Sequence, residues 1–217
     1  MIPGEDACCI LLYGDIGEYS DVTAAAIVRE LMEAEASGKR IDVRINSNGG
    51  DVYTGIAIFN ALRGSKADIH IYVDGIAASM ASVIALCGKP VEMSKYARLM
   101  LHSVSGGCYG NKTELRRCLE EVEALENTLC EMYAPKLGTS VEDIRARYFD
   151  DADHWLKADE ALALGFIDGV YDTDPVPEDS TPEQVYRIFN NRLEQPLNDT
   201  QMNLELSLIH ISEPTRL

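Results

Sequence analysis

The chain has 217 residues, 46% of them hydrophobic and 25% charged, with 36 acidic against 19 basic residues and a formal net charge of −17. That length suits one domain with a sizeable core, or one domain and a tail. The acidic balance excludes binding DNA or RNA through phosphates, which needs a basic surface, and no run reaches the roughly 20 apolar residues of a membrane span.

In chain order, "MIPGEDACC" is acidic and lacks the basic start and apolar core of a signal peptide. "CILLYGDIG" reads as a buried strand and turn. "DVTAAAIVRELMEAEASGK" places Ala25, Ile27, Val28, Leu31 and Met32 at helical spacing, with Gly38 as the stop. "IDVRIN" alternates as a strand, "SNGGD" is a turn, and "TGIAIFNALRGS" is a short helix. "ADIHIYVDG" is a strand and "ASMASVIALCGK" a very apolar helix. "VEMS" and "ARLMLHS" are short strands, and "GGCYGN" is a loop.

"KTELRRCLEEVEALENTLCEMYAPKLG" is a long amphipathic helix. Leu115, Leu119, Val122, Leu125, Leu129 and Met132 mark one face, and Pro135 and Gly138 end it. "SVEDIRARYF" opens with a serine cap, and "KADEALALGFIDGVYD" reads as a helix, a glycine stop and a strand. The alternation predicts an α/β fold with a mostly parallel sheet. From about residue 172 the composition shifts to proline and acid, predicting a linker, a short helix near "PEQVYRIFNNRL" and a loose end. None of the six cysteines has C-x-x-C spacing, which fits a reducing, cytoplasmic setting and neither a metal nor a cofactor site.

"DGIAASMAS" is almost all small side chains at a handover from strand to helix. Small residues let a helix pack close to a sheet. They also leave a nucleophile reachable. Acyl transfer needs a nucleophile with its base, a group orienting the base, and backbone donors for an oxyanion. Ser79 sits at the handover, and the Met80 N–H lies at a free helix start. Gly50 in "SNGGD" offers a second N–H without a Cβ in the way. His102 ends the strand "RLMLH". Asp150, Asp151 and Asp153 are each candidates to orient it. Every one of these has a plain structural reading too: a capping serine, a simple turn, a hydrogen-bonded histidine, solvated acids. Spacing alone permits a Ser/His/Asp hydrolase without requiring one.

Four segments in order, "RINSNGGDVYTGIAIFNAL", "VDGIAASMASVIALCG", "ARLMLHS" and "DHWLKADEALALGFID", resemble the ClpP-like serine peptidases. The resemblance covers roughly residues 9–171 and is nearest to the head maturation proteases of tailed phages and prophages. It implies a ClpP/crotonase-like spiral of β-β-α repeats with a protruding helix, here Lys112 to Leu137. It implies Ser79 as nucleophile, His102 as general base and acid, Asp153 as the orienting carboxylate, and the N–H groups of Gly50 and Met80 as the oxyanion hole. Ser82 remains a packing residue. The implied partners are polypeptide substrates and further copies in a homo-oligomeric ring.

"SNGG" stands where the housekeeping pattern has "SPGG", and "HSVSGGCYGN" replaces the usual "HQP", which bears on specificity. The short segment before Cys9 gives no support for docking an unfoldase ATPase. Rival readings are a crotonase-type acyl-CoA enzyme, for which no catalytic glutamate is placed, a serine–lysine dyad through Lys89 or Lys95, and a silent capsid-assembly protein. Residues 1–171 form the expected peptidase domain and 172–206 an acidic linker. "SLIHISEPTRL", 207–217, resembles a translated sequencing-adapter read-through.

Overall fold

Strands and helices alternate as the sequence predicts, in a computed structural model that describes residues 2–3 and 7–171. The elements are β1 (Ile2–Pro3), β2 (Ala7–Tyr13), α1 (Ala24–Ser37), β3 (Arg40–Ser47), α2 (Val52–Gly64), β4 (Ile69–Ala78) and α3 (Met80–Ala85). They continue with β5 (Val91–Ser94), β6 (Arg98–Leu101), α4 (Lys112–Leu137), α5 (Val141–Tyr148), β7 (His154–Lys157), α6 (Ala158–Ala163) and β8 (Gly169–Tyr171). The fold is mixed α/β with a largely parallel sheet. The expected linker at 172–206, its short helix and the tail at 207–217 lie outside the described residues.

Local chemistry sets the helix ends. Thr23 accepts the Ala26 N–H at the start of α1, and Gly38 closes that helix in the left-handed region at φ 69°. Asp51 accepts the Thr54 N–H to start α2. Asn111 and Glu114 form a reciprocal capping box on α4.

Parallel pairing of β2, β3 and β4 requires crossovers, which α1 and α2 supply. Ile10, Val43, Ile71 and Val91 stand side by side across β2, β3, β4 and β5, all 0% exposed. Each fully buried aliphatic side chain of this kind contributes roughly 1.5–3 kcal/mol.

One strand organises the site. The first half of β4 pairs with β5 through Ile71–Val73, and its last residues, Ile76–Ala78, pair with β6. β7 lies antiparallel on β6. The predicted strand ended at "VDG", whereas β4 runs on to Ala78, because "IAA" finds β6 as a ladder partner. The predicted apolar helix shortens accordingly to six residues. "HWLK" forms β7, a strand absent from the sequence reading. Pro135 sits inside α4, which runs on to Leu137. A proline there forfeits a single hydrogen bond in the last turns, too little to stop a helix already packed on the core.

The two halves of α4 have different surroundings. Leu129, Cys130 and Tyr133 are buried against the core, whereas Leu115 and Leu119 of the same stripe are 49% and 58% exposed. Among the described residues, no helix is long and apolar enough to cross a membrane.

Candidate active site

Ser79 occupies the single residue between β4 and α3, with φ 53° and ψ −126°. A non-glycine residue at positive φ is strained, and it persists only where its surroundings over-determine it. Here the Ser79 N–H is bonded to the Met100 carbonyl at 2.9 Å. Ala77, Ala78, Met80 and Ala81 are all buried around the turn. The strained turn places Ser79 on the wall of a cavity. This is the geometry anticipated from the run of small side chains.

His102 follows the last residue of β6. Because β6 is in ladder register with the end of β4, its imidazole comes alongside the turn. His102 Nε2 lies 2.7 Å from Ser79 Oγ. Both side chains line a cavity of about 150 Å³.

Gly50 and Met80 line the same cavity. Neither N–H donates to another described backbone group, whereas their neighbours Asp51 and Ser79 do. Gly50 has φ 145°, and a Cβ there would meet the Ile16 carbonyl oxygen at 2.1 Å. Gly49 is packed on the turn itself: a Cβ would lie 2.6 Å from Ala78 O and 2.9 Å from Met80 N. The rest of the wall mixes apolar side chains, among them Val52, Val83, Leu129 and Phe149, with the hydroxyl-bearing Ser103, Ser105 and Tyr133. Clefts of about 610 and 670 Å³ lie elsewhere on the surface, and neither is lined by a serine or histidine.

The three acids before β7 have three different environments. Asp150 Oδ1 lies 2.7 Å from His154 Nε2, and that hydrogen bond holds its carboxyl below the usual range. Asp151 adopts φ 66°, and its N–H donates to Ser103 Oγ at 3.0 Å. Asp153 precedes His154, which is paired with Leu101, so the antiparallel register sets Asp153 across from His102. Among the described residues no hydrogen bond joins Asp153 to His102. The structure therefore brings Ser79, His102, Gly50 and Met80 to one cavity, with Asp153 next to the β6–β7 pairing and, among the described residues, not hydrogen-bonded to His102.

Ser82, read as packing, has a polar role as well. It is fully buried, its hydroxyl donates to the Ser79 carbonyl at 2.6 Å, and it lies 2.6 Å from the Tyr133 hydroxyl. Sequence reasoning missed Tyr133. The one signal it offered was a tyrosine in the final turns of an otherwise aliphatic helical stripe.

Lys89 and Lys95, the candidates for a dyad, are engaged elsewhere. Lys89 Nζ donates to the Ser65 carbonyl, and Lys95 Nζ lies over the Tyr96 ring.

The family model described as Clp protease matches residues 7–174. The chain is 32% identical over 157 residues to an ATP-dependent Clp protease proteolytic subunit of Bacteroides fragilis, covering 70% of this chain and 75% of that protein. It is 35% identical over 158 residues to ATP-dependent Clp protease proteolytic subunit 1 of Prochlorococcus marinus, covering 71% and 80%.

Proposed function

The chain belongs to the Clp protease family and is a serine endopeptidase, and we propose that Ser79 is its nucleophile, His102 its general base and acid, and Asp153 the carboxylate that orients His102. The observation that carries this reading is the 2.7 Å contact between His102 Nε2 and Ser79 Oγ. His102 takes the serine proton as Oγ attacks the scissile carbonyl. Negative charge develops on the former carbonyl oxygen, and the Gly50 and Met80 N–H groups receive it. His102 then returns the proton to the leaving amine. Water, deprotonated by His102, then attacks the acyl-enzyme, the product leaves with a new carboxyl group, and Ser79 Oγ regains its proton.

Asp153 is assigned as the orienting carboxylate because it lies next to β7, the strand paired with the β6 end that carries His102. The engagement of Asp150 by His154 supports the same choice. The substrates are polypeptides, and the working form is a homo-oligomeric ring in a cytoplasmic setting. The half-exposed Leu115 and Leu119 support that assembly.

The finer assignment is processing of phage capsid or scaffold proteins during head maturation. It rests on the resemblance of the four motif segments and on the "HSVSGGCYGN" loop after the base. A general Clp subunit working with an ATPase is the second reading. It is favoured by the relatives, which are named as proteolytic subunits of an ATP-dependent protease.

Ser79→Ala tests the core of the proposal. Removing one hydroxyl disturbs little packing, so the fold and assembly persist while peptide hydrolysis and fluorophosphonate labelling fall on the order of 10³-fold or more. A variant that keeps most of its hydrolysis removes Ser79 as nucleophile. Mass spectrometry of phage scaffold and capsid proteins incubated with the wild-type chain separates the two biological readings.

A further inference from the structure

The Ser79–Met80 peptide group has two polar ends with different neighbours. Its N–H is that of Met80, which lines the cavity together with Ser79 and His102, and it donates to no other described backbone group. Its C=O, on Ser79, points into α3 and accepts the Ser82 hydroxyl at 2.6 Å, the Ser82 N–H at 3.0 Å and the Val83 N–H at 3.4 Å. The hydroxyl bond is the short one. Behind it, 2.6 Å from Ser82 Oγ, stands the Tyr133 hydroxyl from α4, 51 residues away in sequence.

The direction of this chain of bonds follows from counting protons. Ser82 has one hydroxyl proton, and the Ser79 carbonyl takes it. Tyr133 must then donate to Ser82 Oγ. Tyr133 is 2% exposed and has no other hydrogen-bond partner among the described residues. Burial pushes its phenol above the usual range, so it stays a neutral donor throughout the working pH. The wire Tyr133 O–H to Ser82 O–H to Ser79 C=O is satisfied at every atom. Two hydroxyls in an otherwise apolar region carry a desolvation cost that a Phe–Ala pair would avoid, so packing alone does not account for them.

We infer that Tyr133 and Ser82 are positioning residues for the oxyanion-binding peptide, holding and polarising the Ser79–Met80 amide from behind. A hydrogen bond accepted at an amide oxygen draws electron density from its nitrogen and strengthens the N–H as a donor, and chained bonds reinforce one another. The wire also pins the carbonyl of a residue at φ 53°, so that the N–H keeps its aim into the cavity as charge develops there. This inference rests on the proposed roles of Ser79 and the Met80 N–H.

The test measures kcat, KM and peptide-boronate affinity for Tyr133→Phe, Ser82→Ala and the double variant. A boronate attacked by Ser79 places a tetrahedral oxygen where the oxyanion forms, so it senses the donor directly. Loss of a whole oxyanion donor costs about 10²–10³-fold. Weakening one donor through its partner is a smaller effect, so Tyr133→Phe is expected to lower kcat by about 3–10-fold. Boronate affinity should fall by the same factor, with KM for the peptide and the pH profile unchanged. The double variant should match Ser82→Ala, because both changes cut one wire.

Tyr133→Phe is nearly isosteric and decides the matter if Ser82→Ala fails to fold. Wild-type kcat and boronate affinity in a folded Tyr133→Phe chain would overturn the inference, as would a rise in KM alone. Both outcomes leave the nucleophile assignment intact. An active Ser79→Ala variant would instead overturn the reading beneath it.

Discussion

Replacing Gly49 by alanine adds one methyl group directly behind the nucleophile turn. The new Cβ would lie 2.6 Å from Ala78 O, 2.8 Å from Ser79 Cβ and 2.9 Å from Met80 N. Restoring an ordinary 3.4 Å contact with Ala78 O requires 0.8 Å of movement, and all three atoms belong to the turn. Gly49 also has φ 95°, where an L-residue pays about 1–2 kcal/mol. Overpacking adds about 1–3 kcal/mol, so the variant should lose roughly 2–5 kcal/mol of unfolding free energy. A displacement of this size at a reacting atom costs on the order of 10²-fold in rate.

Gly38→Ala is the control. It carries a comparable backbone penalty at φ 69°, but its Cβ would meet nothing within 4 Å. Denaturant unfolding and hydrolysis of a fluorogenic peptide should show Gly38→Ala mildly destabilised with wild-type kcat/KM, and Gly49→Ala impaired in both. Wild-type kcat/KM in Gly49→Ala would refute the claim that the Ser47–Asp51 loop braces the turn.

Asp153→Asn should lower kcat far more than Asp150→Asn or Asp151→Asn, approaching about 10⁴-fold, because an amide favours the wrong imidazole tautomer; equal losses at Asp150 or Asp151 would move the role. Leu115→Asp with Leu119→Asp should dissociate the assembly while leaving the protomer folded, since both positions already tolerate water. Light scattering showing that the wild type is a folded, active monomer at micromolar concentration would contradict the ring.

The parts of this fold that read well from sequence are those whose signal is local. The helical period of α1, its Gly38 stop, the alternation of β3 and the "SNGGD" turn each declare themselves within a dozen residues, although Ala25 and Met32 of the expected α1 face are exposed and Ala34 is buried instead. Ser79 and His102 were candidates because one sits in a turn of small residues and the other at a strand end, the resemblance singled them out, and the fold puts them 2.7 Å apart. The failures were non-local. Whether "IAA" extends a strand depends on β6, 20 residues further on, and "HWLK" is a strand only because β6 offers it an edge. The α4 stripe has one periodicity but two environments, and no periodicity distinguishes a face buried by its own core from one left open. Tyr133 was invisible for the same reason, since its partner Ser82 lies 51 residues away. Asp153 was chosen by resemblance, and in the fold Asp150 is the acid hydrogen-bonded to His154.

Because β4 hands its partner over from β5 to β6 just before the turn, the order in which the site can exist during synthesis is set by the chain itself. A polypeptide emerging from the ribosome presents Ser79 first, and His102 follows 23 residues later. The register that fixes the distance between them requires β6, and Asp153 arrives only with the strand after α5. On the roles proposed above, an unfinished chain therefore carries Ser79 without its base. On the same roles, peptidase competence is the last property this domain acquires, after nearly all of its core has been translated.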